Sequence, residues 1–428
     1  MKKDAVKSIV VLSVICLIVA LLLSSLDIIT APIIEKAELE KEETAFLEVL
    51  PDATELENVE LGSDVPASVK AMKKDAGGSG YAFKLVATAT YSGTPMTIIV
   101  GIDSDGKILK LSFVEYTDSP GIGTPEGFDA LFKGKDNTTA DNDAGATITT
   151  NAIKAVLNDA YGVLAKYSTV EQTDEQKLST LYDKLMPSAK SPMVGAYKFS
   201  KYDISQLDGL DSAVTAAFTP SNEIGYVVLV AAEDKTVAVA VNAFGKAYAV
   251  YDLDGNDLNS DEAYAEAKKK AEALPPVYLS KQTANSRRIK NAFKNAFGEE
   301  SANSLTLEAL ALSDVSSTVA AAYKVNDRGN VYYAFIAQTV GYGGRINVLY
   351  VTDKQGKIVL YKTTTHSESA GYGAAIADAA YAEKLTGNNV TALGDEALQI
   401  SGATITSEAV KQAKNDIKTA FDAVKEGF

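Results

Sequence analysis

Two short phrases in this sequence are near copies of one another. Residues 144–156 read AGATITTNAIKAV and residues 401–413 read SGATITSEAVKQA. In both, Gly-Ala-Thr-Ile-Thr runs into a helical pattern, with Thr147 and Thr404 at matching places. Gly145 and Gly402 permit a positive φ or the close approach of a ligand, while Ala146 and Ala403 keep the surface low. Thr149 and Thr406 stand where a hydroxyl can cap the first amides of a helix. A helix start with unpartnered N–H groups and a positive dipole end suits a phosphate. The chemistry on offer is a phosphate pocket beside a nucleophilic or esterifiable hydroxyl. The plain alternative is an ordinary capped helix start, and the duplication weighs against it.

Each phrase closes a longer block. The first block opens with a helical stretch (40–51), followed by runs that alternate apolar and polar residues at 80–90, 96–103 and 108–116. Alternation with β-branched and aromatic enrichment predicts antiparallel strands. A Gly-rich turn, TDSPGIGTPEG (117–127), comes next and carries Asp118, Gly121 and Gly123. The last block keeps the same order: a helix at 287–300, strand, Gly turn and strand at 330–353, and turn and strand at 354–365. Its Gly-rich turn, HSESAGYGA (366–374), carries His366, Glu368, Gly371 and Gly373. One offset aligns Gly106-Lys107-Ile108 with Gly356-Lys357-Ile358, and Gly121-Ile122-Gly123 with Gly371-Tyr372-Gly373.

Between the two blocks lies a third, partial copy. Residues 181–187 match the opening helix, 212–231 and 237–255 supply strands and a Gly-Lys turn, and 261–274 read as a charged, solvated helix. This copy lacks both the Gly-rich turn and the Gly-Ala-Thr phrase. The fold is therefore written three times and the site twice.

Composition narrows the chemistry. The 428 residues are 46% apolar, enough for two or three domains with real cores. A formal charge of -15 without a large basic cluster argues against a nucleic-acid partner. Cys16 is the one cysteine and His366 the one histidine. Intrachain disulfides, Cys-ligated metal and iron–sulfur clusters are thereby excluded, and redox chemistry would need an organic cofactor. His366 has no partner His or Cys and makes a poor metal site; Tyr116 holds the matching place in the first block. His366 and Glu368 either line the pocket or brace the structure.

Residues 8–26, SIVVLSVICLIVALLLSSL, carry no charge. As a helix they span about 28 Å, close to the ~30 Å hydrocarbon core of a bilayer. Lys2, Lys3 and Lys7 precede them, which predicts a cytoplasmic N-terminus and everything after residue 30 outside. A cleaved signal peptide is the alternative; the long apolar core and the lack of a small-x-small cleavage site count against it.

The Gly-Ala-Thr phrase resembles the Asp-x-x-Ser/Thr-Gly-Ala-Thr motif of the FMN-binding domain family. That family includes the G subunit of the Rnf complex and the C subunit of the sodium-pumping NADH:quinone oxidoreductase. HSESAGYG is similar to the family's His-x-Glu-Thr-Pro-Gly-Leu-Gly turn, and YTDSPGIG is a weaker form of it. The opening 9–38 resembles the Rnf G subunit, where one membrane helix runs into a Thr-x-Pro-Ile stretch. Each copy departs from the motif once: Ala144 replaces the Ser/Thr, and Leu398 replaces the Asp, although Asp141 and Ser401 are present.

The resemblance implies an α+β fold: an anchor (1–30), a first FMN-binding domain (31–172), a degenerate repeat without the flavin motif (173–280) and a second FMN-binding domain (281–428). It further implies covalent FMN esterified to Thr147 and Thr404 by a flavin transferase, with Gly145, Ala146, Ser401, Gly402, Ala403, Thr149 and Thr406 around it. The partners implied are the membrane and the other subunits of an Rnf-type ion-translocating complex. Two alternatives stay open. One is a stand-alone flavoprotein of extracellular electron transfer, and the other a non-redox surface-binding protein on a flavin-domain scaffold.

Overall fold

The computed structural model describes residues 39–425, together with 12, 13, 16, 17, 19, 30, 36 and 37, and leaves out 89, 120, 139–145, 187–197, 222–223, 233–234 and 314–317. Apart from those few isolated positions, which are helical, the expected membrane span at 8–26 lies outside the described residues. Among the described residues, no helix is long and apolar enough to cross a membrane.

Among the described residues, fifteen strands form three five-stranded sheets, each joining its strands in chain order. The first holds β1 (Leu56–Asn58), β2 (Val69–Asp75), β3 (Gly80–Ala87), β4 (Met96–Asp103) and β5 (Ile108–Glu115). The middle holds β6 (Phe199–Tyr202), β7 (Val214–Pro220), β8 (Tyr226–Ala232), β9 (Lys235–Val241) and β10 (Ala247–Asp252). The last holds β11 (Thr306–Ala309), β12 (Val319–Asp327), β13 (Asn330–Val340), β14 (Arg345–Asp353) and β15 (Ile358–His366). Every pairing is antiparallel, as the alternation predicts.

Two small irregularities recur in all three sheets. The second strand breaks register at the same place, between Val69 and Ala71, Val214 and Ala216, and Val319 and Ala321. A bulge of this kind re-aims a strand and is specific to its fold. The turn between the fourth and fifth strands is also built three times. Asp103, Asn242 and Asp353 each accept from the amide four residues on, with Gly106, Gly245 and Gly356 at positive φ. The middle copy, expected to be partial, therefore has the complete sheet. It differs in the elements after the fifth strand and in the connection between the third and fourth, where β8 ends at Ala232 and β9 starts at Lys235.

Each sheet is covered on both faces, so central strands such as β4 (MTIIVGID) and β8 (YVVLVAA) are almost continuously apolar. In the first, Phe46 and Val49 of the helical stretch 39–49, with Leu50 just beyond it, cover Ala82 and Ile99. The long helix Thr147–Tyr167 covers the other face, packing Ile153, Leu157, Tyr161 and Leu164 against Phe83, Leu85, Ile98 and Val100. Successive residues thus point to opposite layers, as the pleat requires. The last sheet repeats the plan. Tyr332 meets Phe293 of helix Gln282–Phe297, while Tyr333 and Phe335 meet Phe421 of helix Thr404–Lys425. In the middle sheet the second covering helix shrinks to Ala265–Ala271, preceded by a 3-10 turn at Glu262–Tyr264. The charged helix expected over 261–274 is thus shorter than its pattern suggests.

Candidate cofactor site

Three segments of the last repeat converge at the start of its long helix. The hairpin connection between β13 and β14 supplies Gly341–Gly344. The turn after β15 supplies Glu368 to Gly373, and the Gly-Ala-Thr phrase supplies Gly402 to Thr406. The Glu368 carboxylate, 8% exposed, ties them together. Its Oε1 accepts from the Gly343 amide at 2.8 Å, and its Oε2 accepts from the Thr406 hydroxyl. Gly373 lies so close that a Cβ there would overlap both that carboxylate and that hydroxyl. His366 braces the same turn: its Nδ1 accepts from the Glu368 amide at 3.2 Å.

The first repeat builds the same clasp from a shorter acid. Asp118 Oδ1 accepts from the Ser92 amide at 2.9 Å, and Oδ2 accepts from the Thr149 hydroxyl. Thr149 Oγ1 also accepts from the Tyr91 amide at 3.2 Å. Tyr116, matching His366, steadies its turn differently, donating its hydroxyl to the Ile122 carbonyl at 2.6 Å.

Thr149 and Thr406 therefore do not cap their helices, contrary to expectation. They are the third helical residue, fully buried, with the hydroxyl turned to the clasp carboxylate. At the N-cap position of the first helix, Ala146 forms no side-chain cap bond. Neither helix carries an acid in its first turn. The first-turn amides of a helix have no partner within the helix and suit an external acceptor, and the carboxylate of Asp118 or Glu368 is held beside that turn through Thr149 or Thr406.

Of the other expected residues, Ala146 and Ala403 are buried, Ser401 and Gly402 exposed, and Gly402 sits at φ +75°. Gly121, Gly123 and Gly371 also take positive φ in their turns. Gly145 falls outside the described residues. Leu398, which stands where the motif has Asp, is a fully buried core residue whose carbonyl accepts from Tyr381 at 3.1 Å. Thr147 is half-buried and Thr404 exposed.

Thr404 opens onto a cleft of about 600 Å³, within the size range of small-molecule and cofactor sites. Tyr342, Tyr372 and Ile405 line it, and Tyr91 joins them from the first repeat. Sequence reasoning missed these tyrosines. A signal was present: Tyr91-Ser92-Gly93 and Tyr342-Gly343-Gly344 are matching phrases in matching hairpins.

Residues 90–162 and 341–418 each match the FMN-binding domain. The same domain model thus fits the chain at two places. Each FMN-binding segment starts at the tyrosine-bearing hairpin and runs through the clasp into the long helix, and neither touches the middle repeat. No curated protein matches the chain. The residues present fit FMN. The helix start and Gly402 can hold a phosphate, the aromatic cleft can hold a ring system, and Thr404 lines that cleft.

Proposed function

We propose that the chain is a membrane-anchored, extracytoplasmic electron carrier holding covalent FMN on Thr147 and Thr404. The observation that carries this reading is the duplicated site. The two segments matched by the FMN-binding domain have the same carboxylate clasp, a helix whose first turn carries no acid, and a threonine at its first position. FMN, when bound, supplies the redox chemistry. The chain's residues hold the phosphate at the helix start, shape the cleft and set the ring's surroundings. Attachment joins the threonine Oγ to the FMN phosphorus of FAD, with AMP leaving, in a reaction belonging to a flavin transferase. A covalent bond suits an outward-facing carrier, because a flavin held by contacts alone can be lost to the medium.

The setting we favour is an Rnf-type ion-translocating complex, on the resemblance of the opening segment and of the Gly-rich turn. Partners are then the membrane, the other subunits and the maturing transferase. A stand-alone carrier of extracellular electron transfer rests on the same site chemistry. The test is intact mass and in-gel flavin fluorescence after co-expression with a flavin transferase and Mg2+. Two FMN phosphoester adducts are expected, and a bare chain under those conditions overturns the reading. Protease added to intact cells is expected to digest the bulk of the chain; protection of the C-terminal repeat would reverse the topology.

A further inference from the structure

We propose that Tyr91 of the first repeat is part of the flavin site at Thr404, shielding the ring bound there, and that Asp118 and Thr149 act as positioning residues for it. The proposal rests on the flavin reading of the Thr404 cleft and adds to it a connection between the two sites.

Tyr91 is 55% exposed, yet its ring lines the cleft that holds Thr404, Tyr342 and Tyr372. An exposed aromatic at the rim of an aromatic cleft is a ready contact for a flat apolar ring. Its loop is well tied. The Tyr91 amide donates to Thr149, the Ser92 amide donates to Asp118, and Thr90 Oγ1 donates to the Thr94 carbonyl at 2.7 Å. Tyr342 is the counterpart within the last repeat, on a loop tied through Gly343 to Glu368. The cleft at Thr404 is thus walled by the same hairpin tyrosine twice, once from its own repeat and once from the other.

The arrangement also couples the sites. Thr149 is two residues beyond Thr147 on the same helix start, and it holds both the Asp118 carboxylate and the Tyr91 amide. Whatever occupies the first site bears on the group of bonds that places Tyr91 against the second.

The experiment uses the full chain carrying Thr147→Val, matured with the transferase, so that only the Thr404 adduct is present, as verified by intact mass. Iodide quenching of flavin fluorescence then reports how open the ring is. Tyr91→Ala is expected to raise the quenching constant roughly twofold, and Tyr91→Phe to return it close to the parent, since shielding depends on the ring. Asp118→Ala is expected to move it in the same direction as Tyr91→Ala, although Asp118 belongs to the repeat without a flavin. An unchanged constant in Tyr91→Ala, with the adduct mass intact, overturns the proposal alone. Absence of any adduct in the Thr147→Val chain overturns the flavin reading at Thr404, and the proposal with it.

Discussion

The middle and last repeats are built on the same sheet and differ in the hairpin between the third and fourth strands and in the elements after the fifth. Both have five strands in chain order, a bulge in the second strand and an Asx-Gly-Lys turn before the fifth. After the fifth strand the last repeat turns through Glu368 and Gly373 into a helix of 22 residues, whereas the middle repeat covers the same face with seven. The middle core still closes, with Tyr264, Ala267, Ala271 and Leu274 burying Val228, Val230 and Val239. The sheet and its two covering layers are therefore sufficient for the fold. The carboxylate clasp and the long helix start are additions that accompany the site, and the first repeat has both.

The comparison breaks most decisively at the threonines. Thr147→Val and Thr404→Val are each expected to remove one flavin adduct and the double variant both, with far-ultraviolet circular dichroism unchanged, because the middle repeat folds without the phrase. Adducts surviving in the double variant would disprove the attachment sites. Glu368→Ala comes next. It leaves the Thr406 hydroxyl and the Gly343 amide without their acceptor, which costs about 1–3 kcal/mol for a buried group. Urea unfolding should show that loss in the last repeat, with the absorbance of the Thr404 flavin shifted more than that at Thr147; Asp118→Ala should reverse the order.

Gly373→Ala tests the closeness of the clasp. A methyl group there is expected to destabilise by roughly 1–3 kcal/mol through overpacking, seen as a lower urea midpoint at unchanged slope. His366→Ala has the smallest effect. It removes one half-buried acceptor, about 0.5–1.5 kcal/mol, and should leave the Thr404 adduct mass unaltered. An adduct lost in His366→Ala would give the histidine a direct part in the site.

Local pattern makes much of this legible. The strands expected at 96–103, 108–116 and 354–365 appear within a few residues of those bounds. β2 escapes a pattern reading, because Lys70, Lys73 and Lys74 hide its apolar face. Lys73 is nonetheless buried, paired with Glu43 at 2.7 Å and lying 4.5 Å over the Phe46 ring. The helix Pro125–Phe132 has a Thr124 cap and Pro at its start, but its phrase reads as part of the Gly-rich turn. At the site, the hydroxyls of the Gly-Ala-Thr phrase stand out as chemistry-bearing groups, whereas the role of Thr149 and Thr406 does not. The acid each one meets lies 31 and 38 residues away, so the nearer option, capping, looks complete.

The sequence by itself determined the repeat, the turn types and the Gly-Ala-Thr helix starts, since these depend on contacts within a few residues. Spacing also separated residues needed for the sheet from those kept only with the site. Only the tertiary structure decided that Asp118 and Glu368 face a hydroxyl and a hairpin amide at once, and that Tyr91 belongs to the cleft of the other repeat. Periodicity reports which face an element buries. It carries no information on which distant backbone amide, or which ring from another repeat, the packed chain brings against that face.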